Sequence, residues 1–123
     1  MSDERASIRY VVDDVQAAVD FYTTHFGFTV NSNVAPAFAD VESGPLRLLL
    51  SGPPSSGARS TPADMNVPGR NRILVVVDDL DAEMERLDAA GVPFRSDVVS
   101  GPGGRQILVT DPTGNLVEVF EPK

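Results

Sequence analysis

The stretch DPTGNLVEVFEP (111–122) places one carboxylate, Glu118, among the alternating apolar residues of a strand that follows a Pro-Gly turn. A lone glutamate so placed has three chemistries open to it: metal ligand, general base, or half of a salt bridge. His25, the sole histidine, ends a helical stretch, where it either favours the C-terminal dipole or serves as a base. The glycines of SGPGGRQ (100–106) have no helix and no Gly-Lys-Ser/Thr after them, so they read as a hairpin turn rather than a phosphate cradle. Cysteine is absent, which excludes disulfides, thiolate metal sites and cysteine nucleophiles.

The elements that must position Glu118 occur twice. YVVDDVQAAVDFYTTHFGF (10–28) and LVVVDDLDAEMERLDAAGV (74–92) each give a β-branched run, an Asp-Asp pair, a helical stretch and a glycine. Asp14 and Asp79 are the expected N-caps, and Gly27 and Gly91 the expected stops. Val15, Val19, Tyr22 and Phe26 share one face of the first helix; Leu80, Met84 and Leu87 share one face of the second. Strand-like pieces follow at Phe28–Val34, Ala37–Val41 and Leu46–Ser51, then at Phe94–Ser100, Arg105–Thr110 and Leu116–Glu121. The chain thus reads as one α+β domain of two βαβββ modules, 5–51 and 71–122. The Pro-, Gly- and Ser-rich segment 52–70 shows no periodicity and reads as a linker that doubles as a lid or carries one module to a partner.

Composition narrows the function. A net charge of −8 argues against nucleic acid and anionic membrane surfaces as partners. The polar start MSDERASIRY lacks the apolar core of a signal peptide, and no apolar run has bilayer length, so a cytoplasmic location is expected.

The repeat, the Asp14/Phe21/Tyr22 helix pattern and the terminal D-P-x-G-N-x-x-E motif together resemble the vicinal oxygen chelate superfamily. That superfamily includes glyoxalase I, bleomycin-resistance proteins and extradiol dioxygenases. The resemblance implies that each module curls its strands into a cupped mixed sheet around a cavity. It also implies a metal ligand on the first and last strand of each module. Counting from the capping aspartates and from Gly44 and Gly114, those seats fall on Ser7, Leu48, Arg72 and Glu118. Three of the four are unsuited to a divalent cation, so neither a metal nor a cofactor is expected. Completion of the cups by a second chain, as a homodimer, is a further implication.

Strand alternation in phase with those seats gives the expected lining: Ser7, Arg9 and Val11; Leu46, Leu48 and Leu50; Arg72, Leu74 and Val76; Leu116, Glu118 and Phe120. The third strands add Phe38 and Asp40, with Leu108 and Thr110 opposite. Such a cup, mostly apolar with a few polar groups, suits a small-molecule ligand. The leading expectation is metal-free sequestration of a small molecule. The alternative is a metal-independent lyase or isomerase, with Glu118 as base and Arg72 stabilising an oxyanion. If Arg72 and Glu118 are instead a buried structural pair, removal of one partner would cost ~3–5 kcal/mol.

Overall fold

In the computed structural model, residues 5–123 are described, and they form two compact units, the first running to Gly69 and the second from Arg70 to Lys123. The first contains β1 (Ala6–Val11), α1 (Val15–Phe26), β2 (Thr29–Val34), β3 (Phe38–Ser43), β4 (Leu46–Ser51) and a short helix, α2 (Ser56–Ser60). The second contains β5 (Arg72–Val76), α3 (Leu80–Ala89), β6 (Val99–Gly101), β7 (Gly104–Thr110) and β8 (Leu116–Pro122). Each unit holds a four-stranded mixed sheet, in the order β1-β4-β3-β2 and β5-β8-β7-β6. The strand that opens each unit runs parallel to the one that closes its βαβββ repeat, and the hairpin pairs are antiparallel. No helix among the described residues is long and apolar enough to cross a membrane.

The capping residues act as their types dictate. Asp14 accepts from the Ala17 amide at 3.0 Å and Asp79 from the Ala82 amide at 3.1 Å, which satisfies first-turn donors that lack helical partners. Gly27 closes α1 in a left-handed conformation (φ 68°). The second helix stops one residue before its glycine: Ala90 is the C-cap in right-handed geometry, and Gly91 (φ 75°) makes the turn after it.

One face of each sheet is sealed. In the first, Tyr10, Ala39, Val41, Leu48 and Leu50 are fully buried with Val15, Val19 and Tyr22 of α1. Edge-to-face rings tie them together, with Tyr22 6.2 Å from Tyr10 and 5.4 Å from Phe28 between centroids. In the second, Ile107, Val109, Val117 and Val119 are buried with Leu80 and Leu87 of α3, whereas Met84 is only half-buried.

Two expectations change here. The strand expected over 94–100 is a strand only at Val99–Gly101. Before it, Phe94 makes an isolated bridge to Val109, and Ser96 Oγ accepts from the Leu108 amide at 3.0 Å in place of a backbone partner. The segment read as a structureless linker also folds in part. Ser55 Oγ accepts from the Ala58 amide at 3.1 Å, capping α2, and buried Ala58 seats that helix. Asn66 Nδ2 donates to the Ala58 carbonyl at 3.1 Å and holds the next stretch against it.

Candidate functional site

The DPTGN turn that introduces Glu118 is a structural device. Asp111 Oδ1 accepts from the amides of Thr113, Gly114 and Asn115 at 2.8–2.9 Å. Its Oδ2 accepts from Asn115 Nδ2 at 3.0 Å, and Asn115 Oδ1 in turn accepts from the Asn71 amide at 2.9 Å. The turn is thereby tied to the start of β5, and this fixes the register that sets Arg72 beside Leu116 and Leu74 beside Glu118.

Within that register Arg72 reaches along the sheet to Glu118. Its Nη2 donates to Glu118 Oε1 at 2.7 Å and its Nε to the same oxygen at 3.1 Å. The Arg72 side chain is 47% exposed and that of Glu118 14%, so in this unit the pair is partly hydrated rather than buried. Solvent screening reduces the expected 3–5 kcal/mol for a buried pair to about 1 kcal/mol or less.

Around the pair lies the open face of the second sheet. Leu74 (49% exposed) and Val76 (62% exposed) flank it on β5. Leu108 pairs with Glu118 across β7, Thr110 with Leu116, and Phe120 with Gln106; all these side chains are half-buried. Thr110 Oγ1 is shielded from solvent and has no hydrogen-bond partner among the described residues. The cationic residue of β7, Arg105, belongs to the helix side. Its guanidinium is held above the usual arginine range by its hydrogen bond to Asp81 and by the nearby charges of Asp81 and Glu121.

The first sheet corrects the sequence reading. Leu48 and Leu50 do not belong to the open face. They pair with Ile8 and Tyr10 on β1 and with Val41 and Ala39 on β3, and both are fully buried on the α1 side. Leu46 shares their phase. The open face of β4 carries Arg47, Leu49 and Ser51, so Leu49 is the residue in the row of Arg9 and Asp40. The cause is the turn: Gly44 and Pro45 alone connect β3 to β4, whereas five residues connect β7 to β8. Equal counts from Gly44 and Gly114 therefore reach opposite faces.

The open face of the first sheet is consequently polar. Asp40, itself buried, accepts from Ser32 Oγ and from Asn31 Nδ2 (3.3 Å), with Arg47 Nη1 at 3.8 Å. Arg47 Nε also donates to Ser7 Oγ at 3.1 Å, and Arg5 pairs with Glu42. Asp40 is thus committed to internal bonds. His25 stands edge-on to Phe21, with centroids 5.2 Å apart, in the last turn of α1 and away from these rows. Among the described residues, no group of three or more His, Asp or Glu side chains is arranged to hold a metal ion.

A pocket of about 500 Å3 opens where this face meets the segment before and within α2. Phe38 of β3 and Arg9 of β1 form one side; Pro54, Ser56, Gly57 and Arg59 form the other. Arg9 Nη1 donates to Ser51 Oγ at 2.8 Å. Two glycines make the geometry possible. A Cβ at Gly52 would stand 2.1 Å from the Pro36 carbonyl oxygen, and one at Gly57 would stand 2.1 Å from Arg9 Nη1. Of this pocket, sequence reasoning reached Phe38 and Arg9 but missed Arg59 and Gly57. A five-residue helix is too short for periodicity to reveal, and the serine cap at Ser55 was the one available signal.

Comparison with known proteins places these features in a family. TnmS3, an antibiotic-binding protein from a Streptomyces species, is 27% identical, with coverage of 100% of this chain and 98% of that one and a TM-score of 0.75. A lactoylglutathione lyase from Agrobacterium tumefaciens is 25% identical over 98% of this chain and 92% of its own, with a TM-score of 0.73. An uncharacterized protein of Mycolicibacterium smegmatis is 25% identical over 99% of this chain and 97% of its own length. Residues 5–119 match the model of the Glyoxalase/Bleomycin resistance protein/Dioxygenase superfamily, and the chain belongs to that superfamily.

Proposed function

We propose that this chain is a metal-free member of the superfamily that binds a small molecule and does not transform it. The observation that carries this reading is the pocket beside Arg9 and Phe38, whose volume of about 500 Å3 lies within the range of small-molecule sites. The likeness to an antibiotic-binding protein at 27% identity supports it. The residues at the family's ligand positions do not fit a divalent cation. With the register corrected they are Ser7, Leu49, Arg72 and Glu118, and the one carboxylate among them is bonded by a guanidinium. That same bond weakens the enzymatic alternative, because the Glu118 oxygen that would face a substrate already accepts two guanidinium N–H groups.

The test is nuclear magnetic resonance mapping of the protein against a library of aromatic natural products. Compounds that bind should move the amides of β1, β3 and residues 54–59. A library that moves none of them, or about one tightly held divalent metal per chain after dialysis, would overturn the reading. We also propose a homodimer. The exposed Leu74, Val76, Val34 and Val99 support it as apolar surface available for pairing. Light scattering should then report twice 13.1 kDa, and a monomer at micromolar concentration would refute the dimer alone.

A further inference from the structure

We infer that the pocket beside α2 selects an anionic ligand with a flat apolar body, such as an aromatic carboxylate. This deepens the proposed function and rests on it. The chain carries 18 acidic and 10 basic residues, so its field as a whole repels anions. The pocket reverses that balance: Arg9 and Arg59 line it, and no acidic residue does. Among the described residues, no carboxylate lies within ion-pair distance of either guanidinium.

Five of the other seven arginines behave differently: Arg5, Arg47, Arg72, Arg86 and Arg105 each meet a carboxylate, whereas Arg70 and Arg95 make no ion pair among the described residues and do not line this pocket. An acidic protein that leaves two cations unneutralised in one concavity has placed them for a negative charge from outside. Arg9 is also oriented in advance, because Ser51 Oγ accepts from its Nη1 at 2.8 Å and Gly57 leaves room for the guanidinium against α2. Phe38 supplies an aromatic wall beside these charges, which suits a planar ring carrying the anion.

The experiment titrates naphthoate and its neutral counterpart naphthamide into the full chain, with calorimetry for affinity and amide shifts for location. The two probes share shape and differ in charge. Naphthoate should bind at residues 9, 38 and 54–59 about tenfold more tightly than naphthamide. Arg9→Gln and Arg59→Gln should each erode that preference several-fold, with the amide shifts of buried Leu48 and Leu50 unmoved as a control for folding. Equal binding of both probes in the pocket would overturn the anion selectivity and leave the small-molecule reading standing. Failure of both probes to move any pocket amide would overturn both.

Discussion

Three rows of side chains cross the open face of each sheet, and the two halves place their charges differently in them. In the first half the rows are Ser7–Arg47–Glu42, Arg9–Leu49–Asp40 and Val11–Ser51–Phe38. In the second they are Arg72–Leu116–Thr110, Leu74–Glu118–Leu108 and Val76–Phe120–Gln106. The helix-covered faces are alike in kind, built of valine, isoleucine, leucine and, in the first half, tyrosine, although Val75 and Val77 are only half-buried where Tyr10 and Val12 are fully buried. A duplicated βαβββ unit thus keeps what its core requires and changes what solvent or a ligand meets. The first half has put a cation beside an aromatic ring and a folded segment. The second has paired its acid and base and surrounded them with apolar side chains.

The largest effect should come from the boundary between the two faces. Leu48→Ala empties a fully buried site and should cost about 2–5 kcal/mol, while Leu74→Ala, at a half-exposed position on the other sheet, should cost less than about 1 kcal/mol. Urea denaturation of the two variants measures both, and a small loss at Leu48 would return it to the open face. Next comes the turn that only the second half possesses. Asp111→Ala strands the amides of Thr113 and Asn115 and leaves that of Gly114 only its bond to the backbone carbonyl of residue 111, for an expected loss of about 2–3 kcal/mol in the same assay.

The capping aspartates should show where the halves agree. Asp14→Ala and Asp79→Ala remove equivalent bonds and should each cost about 1 kcal/mol, read as similar drops in Tm. The smallest effect belongs to Arg72 and Glu118. A double-mutant cycle with leucine at either or both positions should give a coupling of roughly 0.2–1 kcal/mol, reduced further by salt. A coupling near 3 kcal/mol would mean that the pair is desolvated in the protein as it exists in solution.

Much of this was legible in the residues alone. The two Asp-capped helices and the order of elements along each module follow from repeat and pattern, and the resemblance to the superfamily implied that Arg72 and Glu118 meet. The face of β4 did not. LRLLLS (46–51) has leucine on both parities, and the shorter turn before it shifts the count from glycine by one. Arg47 and Ser51 share a parity with Leu49, and their polarity was the signal of the open face that the count from glycine overrode. The short helix at 56–60 was hidden for another reason: one turn has no period, and its stability comes from packing of Ala58 and from the cap at Ser55.

A Cβ at Gly57 or at Gly52 would meet a contact of 2.1 Å, yet the two contacts differ in kind. At Gly52 the obstacle is a backbone carbonyl, which cannot move without the loop around Pro36, so a missense change there damages the fold and is removed by selection. At Gly57 the obstacle is the far end of the Arg9 side chain, which can swing away on its flexible stem. A single-codon change at 57 therefore displaces the pocket's cation while leaving the core untouched. On the proposed function, this is a codon at which ligand preference changes with little loss of stability.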